Sequence, residues 1–176
     1  MTQRGLSATR KDDAMPQQID VIELLERDHR VIDDLAEQLD AADDPVEIRR
    51  LFLRIVEELS AHEAAEQEVL FPAFRASCDA AGDRTLTRRM GEHEELNELL
   101  AEMRSLAPTG LAFIKRGSAL LLEVKAHFQL EEESVFSRMR AAFDADELAD
   151  LGRRAVAVKR QSPAFPDEHP HVGADR

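Results

Sequence analysis

Hydrophobic residues recur at steps of three and four along most of the chain, which is the spacing of side chains on one face of an α-helix. The pattern predicts four long helices, at about residues 18–40, 45–75, 84–106 and 111–142. A shorter helix is predicted to begin after Asp144, which has capping-box spacing with Glu147, and to extend to about Lys159. Short connectors favour antiparallel neighbours. We therefore predict an all-α fold, an antiparallel up-down four-helix bundle with a short fifth C-terminal helix.

The predicted core-facing positions include polar residues. In the first two helices these positions are Ile22, Leu25, His29, Ile32, Ala36 and Leu39, then Ile48, Phe52, Ile55, Leu59, His62, Glu66, Val69 and Ala73. In the next two they are Leu86, Met90, His93, Leu96, Leu100 and Met103, then Phe113, Gly117, Leu120, Val124, His127, Glu131 and Val135. One histidine per helix and two glutamates therefore lie in faces that are otherwise apolar or small.

Capping and helix-breaking residues set the predicted boundaries. Asp44 and Glu47 have capping-box spacing at the start of the second helix, and Pro72 is expected to kink or end its last turn. Gly82 is expected to break the chain in a connector at 76–83, and Gly117 to let a neighbouring helix approach closely. The predicted organisation is a flexible arm at 1–17, the bundle at 18–143, the additional helix at 144–160 and a disordered tail at 161–176.

Composition and charge narrow the class of protein. The 176 residues suit one domain, and a net charge of −13 argues against nucleic acid or anionic membranes as partners. No apolar run approaches the length of a membrane span, and the polar N-terminus lacks the apolar stretch of a secretory signal. The single Cys78 is expected to be a free loop thiol. A reducing cytoplasm is the expected location.

Two similar motifs carry the candidate chemistry. His62 and Glu66 are four residues apart, as are His127 and Glu131, so each pair leaves one face of its helix. In an up-down hairpin, residues equidistant from the turn lie side by side. The midpoints between successive helix histidines, beginning with His29 and ending with His127, all fall in predicted turns. The four histidines are therefore expected at one level of the bundle.

An internal repeat supports the same arrangement. The separation from His29 to His93 is 64 residues, and that from His62 to His127 is 65. Ala61-His62-x-x-x-Glu66-x-Glu68-x-x-Phe71 matches Ala126-His127-x-x-x-Glu131-x-Glu133-x-x-Phe136, and Asp28-His29 parallels Glu92-His93. The bundle is thus predicted to contain two similar hairpins, each giving one histidine from one helix and a histidine with a glutamate from the next.

The alternative for each single histidine is a hydrogen-bonded core residue without a ligand role. Glu66 and Glu131 decide against that alternative, because buried carboxylates are costly without partners and no Arg or Lys is predicted to face them. Histidines converging with glutamates from several helices are how bundle proteins build di-iron and di-manganese sites. The sequence therefore predicts a two-metal centre.

The sequence resembles the hemerythrin-like, or HHE cation-binding, domain family from about Val21 to Met139. The resemblance rests on the level histidines and on His62 to Glu66 followed by Glu68-Val69-Leu70-Phe71-Pro72. It implies that two non-haem irons, oxo- or hydroxo-bridged, are held by terminal histidines and bridging glutamates, namely His29, His62, Glu66, His93, His127 and Glu131. Manganese would suit the same oxygen and nitrogen donors. Glu63 matches a position that supplies an extra carboxylate in some relatives.

The chain departs from the invertebrate oxygen carriers of that family. The positions four residues before and after His93 hold Arg89 and Asn97, so the fifth histidine of the carriers is missing. The remaining four histidines and two glutamates form a harder, more anionic set, which favours oxidised metals and disfavours simple reversible oxygen transport.

Three functions remain open at this point. The first is a module that binds or responds to O2, NO or peroxide, and the second is a catalase-like enzyme that decomposes hydrogen peroxide. A chain without Tyr or Trp lacks easily oxidised side chains near such a centre. The third is a metal-free structural bundle. Phe71 and Phe136 are expected to pack against the fifth helix, the N-terminal arm or a second subunit, and His169 and His171 could bind metal only adventitiously.

Overall fold

The structure, a computed structural model, describes residues 19–108 and 110–162. These residues form five helices and no strand. In order, with π-helical turns inside the second and fourth, the helices are Val21–Ala41; Pro45–Ala65, Glu66–Leu70 and Phe71–Ser77; Ala80–Arg104; Leu111–Glu131, Glu132–Phe136 and Ser137–Ala142; and Ala145–Gln161. The predicted all-α bundle with a fifth helix is confirmed. The predicted arm at 1–17 and most of the predicted tail at 161–176, with His169 and His171, lie outside the described residues.

Aspartates begin four of the helices. The side chain of each accepts a hydrogen bond from a backbone N–H three residues later, and these caps are Asp20, Asp44, Asp79 and Asp144. The predicted capping box is complete at Asp144. At Asp44 only half of it forms, because the carboxylate of Glu47 accepts hydrogen bonds from Arg50 instead.

The third helix begins at Ala80, so the predicted connector at 76–83 is too long. Asp79 caps this helix, and Gly82 lies in its first turn instead of breaking the chain. A Cβ atom on Gly82 would lie 2.5 Å from the Cβ of Cys78. The glycine is therefore required by the close approach of the two helix ends.

One core-facing assignment in the third helix is wrong. Met90 is 40% exposed, whereas Arg89 is 3% exposed. The inward face steps from Leu86 to Arg89 to His93, which keeps the alternation of three and four. The apolar pattern did not predict that Arg89 faces inward, because a charged side chain does not suggest a core position.

Pro72 neither ends nor visibly interrupts its helix, contrary to expectation. The helix passes through the π-helical turn Glu66–Leu70 and continues as Phe71–Ser77, with the amide of Phe71 donating to the carbonyl of Glu66. A second π-helical turn, Glu132–Phe136, follows Glu131 at the matching place in the repeat. Because a π turn adds a residue to one turn, Phe71 and Phe136 face inward, and both are buried.

Two apolar clusters fill the bundle, one on each side of the histidine level. The first contains the start of the first helix, both π-helical turns and the apolar face of the fifth helix with Leu148, Leu151 and Ala155. The second is built from the opposite ends of the four long helices and includes Phe52, Phe113 and Phe128. The polar residues of the four core faces lie between these clusters. Within residues 19–108 and 110–162, the structure contains no helix long and apolar enough to cross a membrane.

Candidate metal centre

The structure brings all six predicted ligands to one level in the bundle core. None of them is more than 4% exposed. Their donor atoms form two compact groups, one made of His29, His62, Glu66 and Glu131 and the other of Glu66, His93 and His127. Glu66 belongs to both groups, which is the place of a shared ligand.

The two carboxylates lie between the histidine pairs. One oxygen of Glu66 is 3.3 Å from Nε2 of His62, and the other is 3.2 Å from Nε2 of His93. Oε2 of Glu131 is 3.7 Å from Nε2 of His29 and also 3.7 Å from Nε2 of His127. Each carboxylate therefore reaches imidazoles from two different hairpins.

The inward-facing donor atoms fit a metal better than they fit one another. Nε2 of His29, Nε2 of His62 and all four oxygens of Glu66 and Glu131 are buried without a hydrogen-bond partner among the described residues. Buried polar atoms are normally paired, and leaving carboxylate oxygens unpaired is costly. Oxygen and imidazole donors suit iron, manganese and related cations. Metal ions would satisfy all of these atoms together.

The spacing of the remaining two histidines agrees with this interpretation. Nε2 of His93 and Nε2 of His127 lie 3.0 Å apart, a distance at which one ring also donates a hydrogen bond to the other. Imidazole nitrogens bind first-row metals at about 2.1 Å, so two of them at right angles on one metal lie about 3.0 Å apart. The pair is placed as two neighbouring ligands would be.

Glu66 and Glu131 are close enough that ionisation of one opposes ionisation of the other. Burial opposes ionisation of Glu66, but His62 and His93 hold its pKa well below the usual value. Burial and the charge of Glu66 raise the pKa of Glu131 well above its usual value. One carboxyl therefore keeps its proton beside the other when no cation separates them.

The histidines also differ from one another in this environment. Burial alone would lower the pKa of His62, but the charges of Glu66 and Asp28 raise it to about 9. Burial, reinforced by the nearby His62, lowers the pKa of His29 to about 2. His29 is thus neutral and has a free lone pair, which is the form that binds a metal.

A second layer of polar residues holds the outer nitrogens of the imidazoles. The Nδ1 hydrogen bonds are His29 with Glu132 at 2.7 Å, His93 with Gln67 at 3.5 Å and His127 with Glu92 at 2.9 Å. Nδ1 of His62 lies 3.5 Å from Asp28, an ion-pair contact without hydrogen-bond geometry. Carboxylates in such places fix the ring and direct Nε2 inward.

These outer residues follow the internal repeat. Asp28 and Glu92 each precede a histidine, and Gln67 and Glu132 each follow one of the buried glutamates. Sequence reasoning noted the Asp28 and Glu92 parallel but assigned it no role. This parallel in the repeat could have predicted the two outer carboxylates, because equivalent positions of two similar hairpins make equivalent contacts.

Two cations complete the second layer, and the expectation that no Arg or Lys faces the buried carboxylates is wrong. Nη2 of Arg89 lies 2.8 Å from Oε1 of Glu92, and the charge of Arg89 opposes the raised pKa of Glu131. Lys159 of the fifth helix contacts Asp28. Among the described residues neither cation has an ion pair with Glu66 or Glu131, so the need for a cation between these two carboxylates remains.

Aromatic rings line the site. Phe128 stacks on His29 with ring centroids 3.9 Å apart and planes 10° from parallel. Phe136 stacks on the same imidazole at 5.5 Å, and Phe71 lies 5.4 Å from His93. Of the alternatives expected for Phe71 and Phe136, the structure shows packing in the cluster that contains the fifth helix. The rings exclude water from the imidazoles.

Glu63 lies beside the centre but outside both donor groups. The residue is 6% exposed, and its Oε2 accepts a hydrogen bond of 2.7 Å from Nδ2 of Asn97. Asn97 thus uses a position one turn from His93 to hold a carboxylate. Cys78 has a free thiol at the distant connector, as predicted.

Comparison with known proteins agrees with the geometry. The family model of the hemerythrin HHE cation binding domain matches residues 20–119. A DNA nickase from Nostoc sp. (strain PCC 7120 / SAG 25.82 / UTEX 2576) is 27% identical over 143 residues. That match covers 81% of this chain but only 40% of the relative, so the chain spans less than half of that protein's length.

A solved structure shares the fold. The hemerythrin HHE cation binding domain-containing protein from Mycobacterium kansasii has a TM-score of 0.72 and 20% sequence identity, over 82% of this chain and 87% of that one. The helical bundle, the buried histidine and glutamate cluster and the family-model match lead to one assignment: the chain belongs to the hemerythrin HHE cation-binding domain family.

Proposed function

We propose that this protein is a non-haem di-iron protein that binds or responds to O2, NO or peroxide. The observation that supports it best is the position of Glu66, whose two oxygens lie 3.3 and 3.2 Å from imidazoles of different donor groups. The proposed ligands are His29, His62, Glu66, His93, His127 and Glu131. Iron is proposed because four of the six donors are imidazoles, which suit iron, and manganese is the alternative for the same oxygen and nitrogen set.

Each part of the site has a defined task in this proposal. His29 and His62 would hold one metal and His93 and His127 the other, with Glu66 and Glu131 shared between them. When bound, the iron pair supplies redox chemistry and a coordination position for a small ligand. The outer carboxylates Glu132 and Glu92 keep the imidazoles of His29 and His127 directed inward. Phe128 stacks on His29 and excludes water from it.

Optical spectroscopy of iron-loaded protein tests the binding function. Protein loaded with ferrous iron without air should change its absorption when O2 or NO is added. A binder or sensor should recover on removal of the gas, with no net consumption. A spectrum that responds to neither gas nor peroxide would contradict the proposal. His62→Ala serves as the variant that should lose the response together with the iron.

A catalase-like activity is the second candidate. The anionic ligand set favours oxidised iron, and the chain contains no Tyr or Trp that the reaction could oxidise. In that reaction two molecules of hydrogen peroxide yield two of water and one of O2. Steady evolution of O2 from the iron-loaded protein, absent in His62→Ala, would establish the enzyme over the binder.

Neither nucleic acid nor membrane is proposed as a partner, and a reducing cytoplasm is the proposed location. The net charge of −13 opposes contact with phosphate backbones and anionic lipids, and the one cysteine is free. The name of the Nostoc relative raises DNA nicking as a competing activity. Conversion of supercoiled plasmid to the open-circular form by iron-loaded wild type, but not by His62→Ala, would overturn the exclusion of nucleic acid.

A further inference from the structure

The fifth helix reaches the candidate metal centre through one side chain. The ammonium of Lys159 contacts Oδ2 of Asp28, and the same oxygen lies 3.5 Å from Nδ1 of His62. The side chain of Lys159 is 17% exposed and that of Asp28 is 10% exposed, so water screens this contact only partly. Nε2 on the other side of the His62 ring lies 3.3 Å from Glu66. A continuous line of contacts therefore joins the fifth helix to a proposed ligand.

The contacts from Lys159 through Asp28 to His62 affect how strongly His62 donates to a metal. A carboxylate that accepts the Nδ1 proton of a ligating histidine makes its Nε2 a stronger donor. A cation on the same carboxylate withdraws part of that effect, because the oxygen then shares its charge between two partners. Oδ2 of Asp28 lies closer to the ammonium of Lys159 than to Nδ1 of His62, which makes no hydrogen bond with any residue that the structure describes. Lys159 and His62 thus compete for Asp28.

The internal repeat shows why the cation must come from outside the first hairpin. In the second hairpin, Glu92 accepts from His127 and is paired with Arg89, four residues before His93. The position four residues before His29 is Leu25, which is fully buried and has no charge. In the third helix Arg89 pairs with Glu92 of the same helix. The equivalent carboxylate of the first helix, Asp28, is instead paired with Lys159 of the fifth helix.

We propose that Lys159 is a positioning residue of the metal centre, which holds Asp28 and thereby sets the donor strength of His62. The fifth helix then belongs to the functional site, although it lies outside the segment matched by the family model. The inference rests on the proposed metal binding for its redox consequence, but the contact between Lys159, Asp28 and His62 is testable without metal.

The metal-free test uses nuclear magnetic resonance of the full chain at one fixed pH. In Lys159→Met, the carboxylate of Asp28 should form a stronger hydrogen bond with Nδ1 of His62. The chemical shift of the Nδ1 proton of His62 should therefore move downfield. Arg160→Met removes a neighbouring exposed charge from the same helix and should leave that proton unmoved. Lys159→Arg restores a cation and should return the signal toward the wild-type position.

The iron-loaded test uses the midpoint potential of the centre. Lys159→Met should shift the potential to more negative values, because a stronger His62 donor and one cation fewer both favour oxidised iron. Asp28→Asn should shift it in the opposite direction and weaken iron binding by about 10–100-fold. A folding defect common to both variants cannot produce opposite signs.

The outcomes separate the two proposals. An unmoved His62 proton and an unchanged potential in Lys159→Met would overturn the role of Lys159. A moved proton in a wild-type protein that binds no iron would support the contact while overturning the proposed di-iron function. Equal shifts of the His62 proton or of the midpoint potential in Lys159→Met and Arg160→Met would show that the effect comes from general surface charge. That result would also overturn the proposal.

Discussion

The guanidinium of Arg89 lies 2.8 Å from the carboxylate of Glu92, and the second oxygen of that carboxylate accepts a 2.9 Å contact from the outer nitrogen of His127. A buried cation thus stands behind one of the proposed ligands. Arg89 and Asn97 occupy the positions one helical turn before and after His93, where this chain has no further histidine.

Replacing Arg89 by Met should destabilise the protein. The side chain of Arg89 is 4% exposed and that of Glu92 is 23% exposed, so water can reach the carboxylate that would lose its partner. The expected cost is therefore about 1–3 kcal/mol, below that of breaking a fully buried ion pair. Thermal or denaturant unfolding measures it. Arg88→Met is the matched control, because Arg88 pairs with the same Glu92 but is 73% exposed, and it should change stability by about 0.5 kcal/mol or less.

The docking of the fifth helix depends on Gly152. A Cβ atom there would lie 2.3 Å from the backbone oxygen of Ile19, where neither group can move away easily. Gly152→Ala should destabilise the fold by about 1–3 kcal/mol through overpacking. Gly91→Ala is the control, because a Cβ atom at Gly91 meets nothing within 4 Å, and it should stabilise the third helix by about 0.5–1 kcal/mol. Equal melting temperatures for the two variants would contradict the close approach at Gly152.

Glu63 should be dispensable for metal binding. Its carboxylate is held by Asn97 and belongs to neither donor group. Glu63→Gln should therefore keep the wild-type metal content, since the amide can still accept from Asn97. Elemental analysis after iron loading checks this. Loss of half or more of the metal would make Glu63 a ligand.

Much of the fold followed from periodicity, because apolar spacing and aspartate caps act locally. The fifth helix is an example, since Asp144 and Glu147 form the complete capping box that their spacing predicts. The level placement of the histidines followed from the geometry of hairpins, and all six predicted ligands are close together in the core. That they bind metal stays a prediction.

The remaining features depend on tertiary contacts that no local pattern encodes. The π-helical turns after Glu66 and Glu131 turn Phe71 and Phe136 inward, a half-turn change that regular helical periodicity cannot give. Arg89 was missed because its burial depends on Glu92 being beside it. Lys159 was missed because its partner Asp28 is far away in sequence.

The central claim is that Glu66 is shared between two metals, and metal content per chain tests it most directly. Wild-type protein loaded with ferrous iron and then desalted should retain about two iron ions per chain. Glu66→Ala and Glu131→Ala should lose iron yet keep the helical circular dichroism of the wild type. Glu68→Ala, two residues along and exposed, should retain the iron. A folded wild-type chain that retains no iron, or a Glu66→Ala variant that retains all of it, would contradict the di-metal centre.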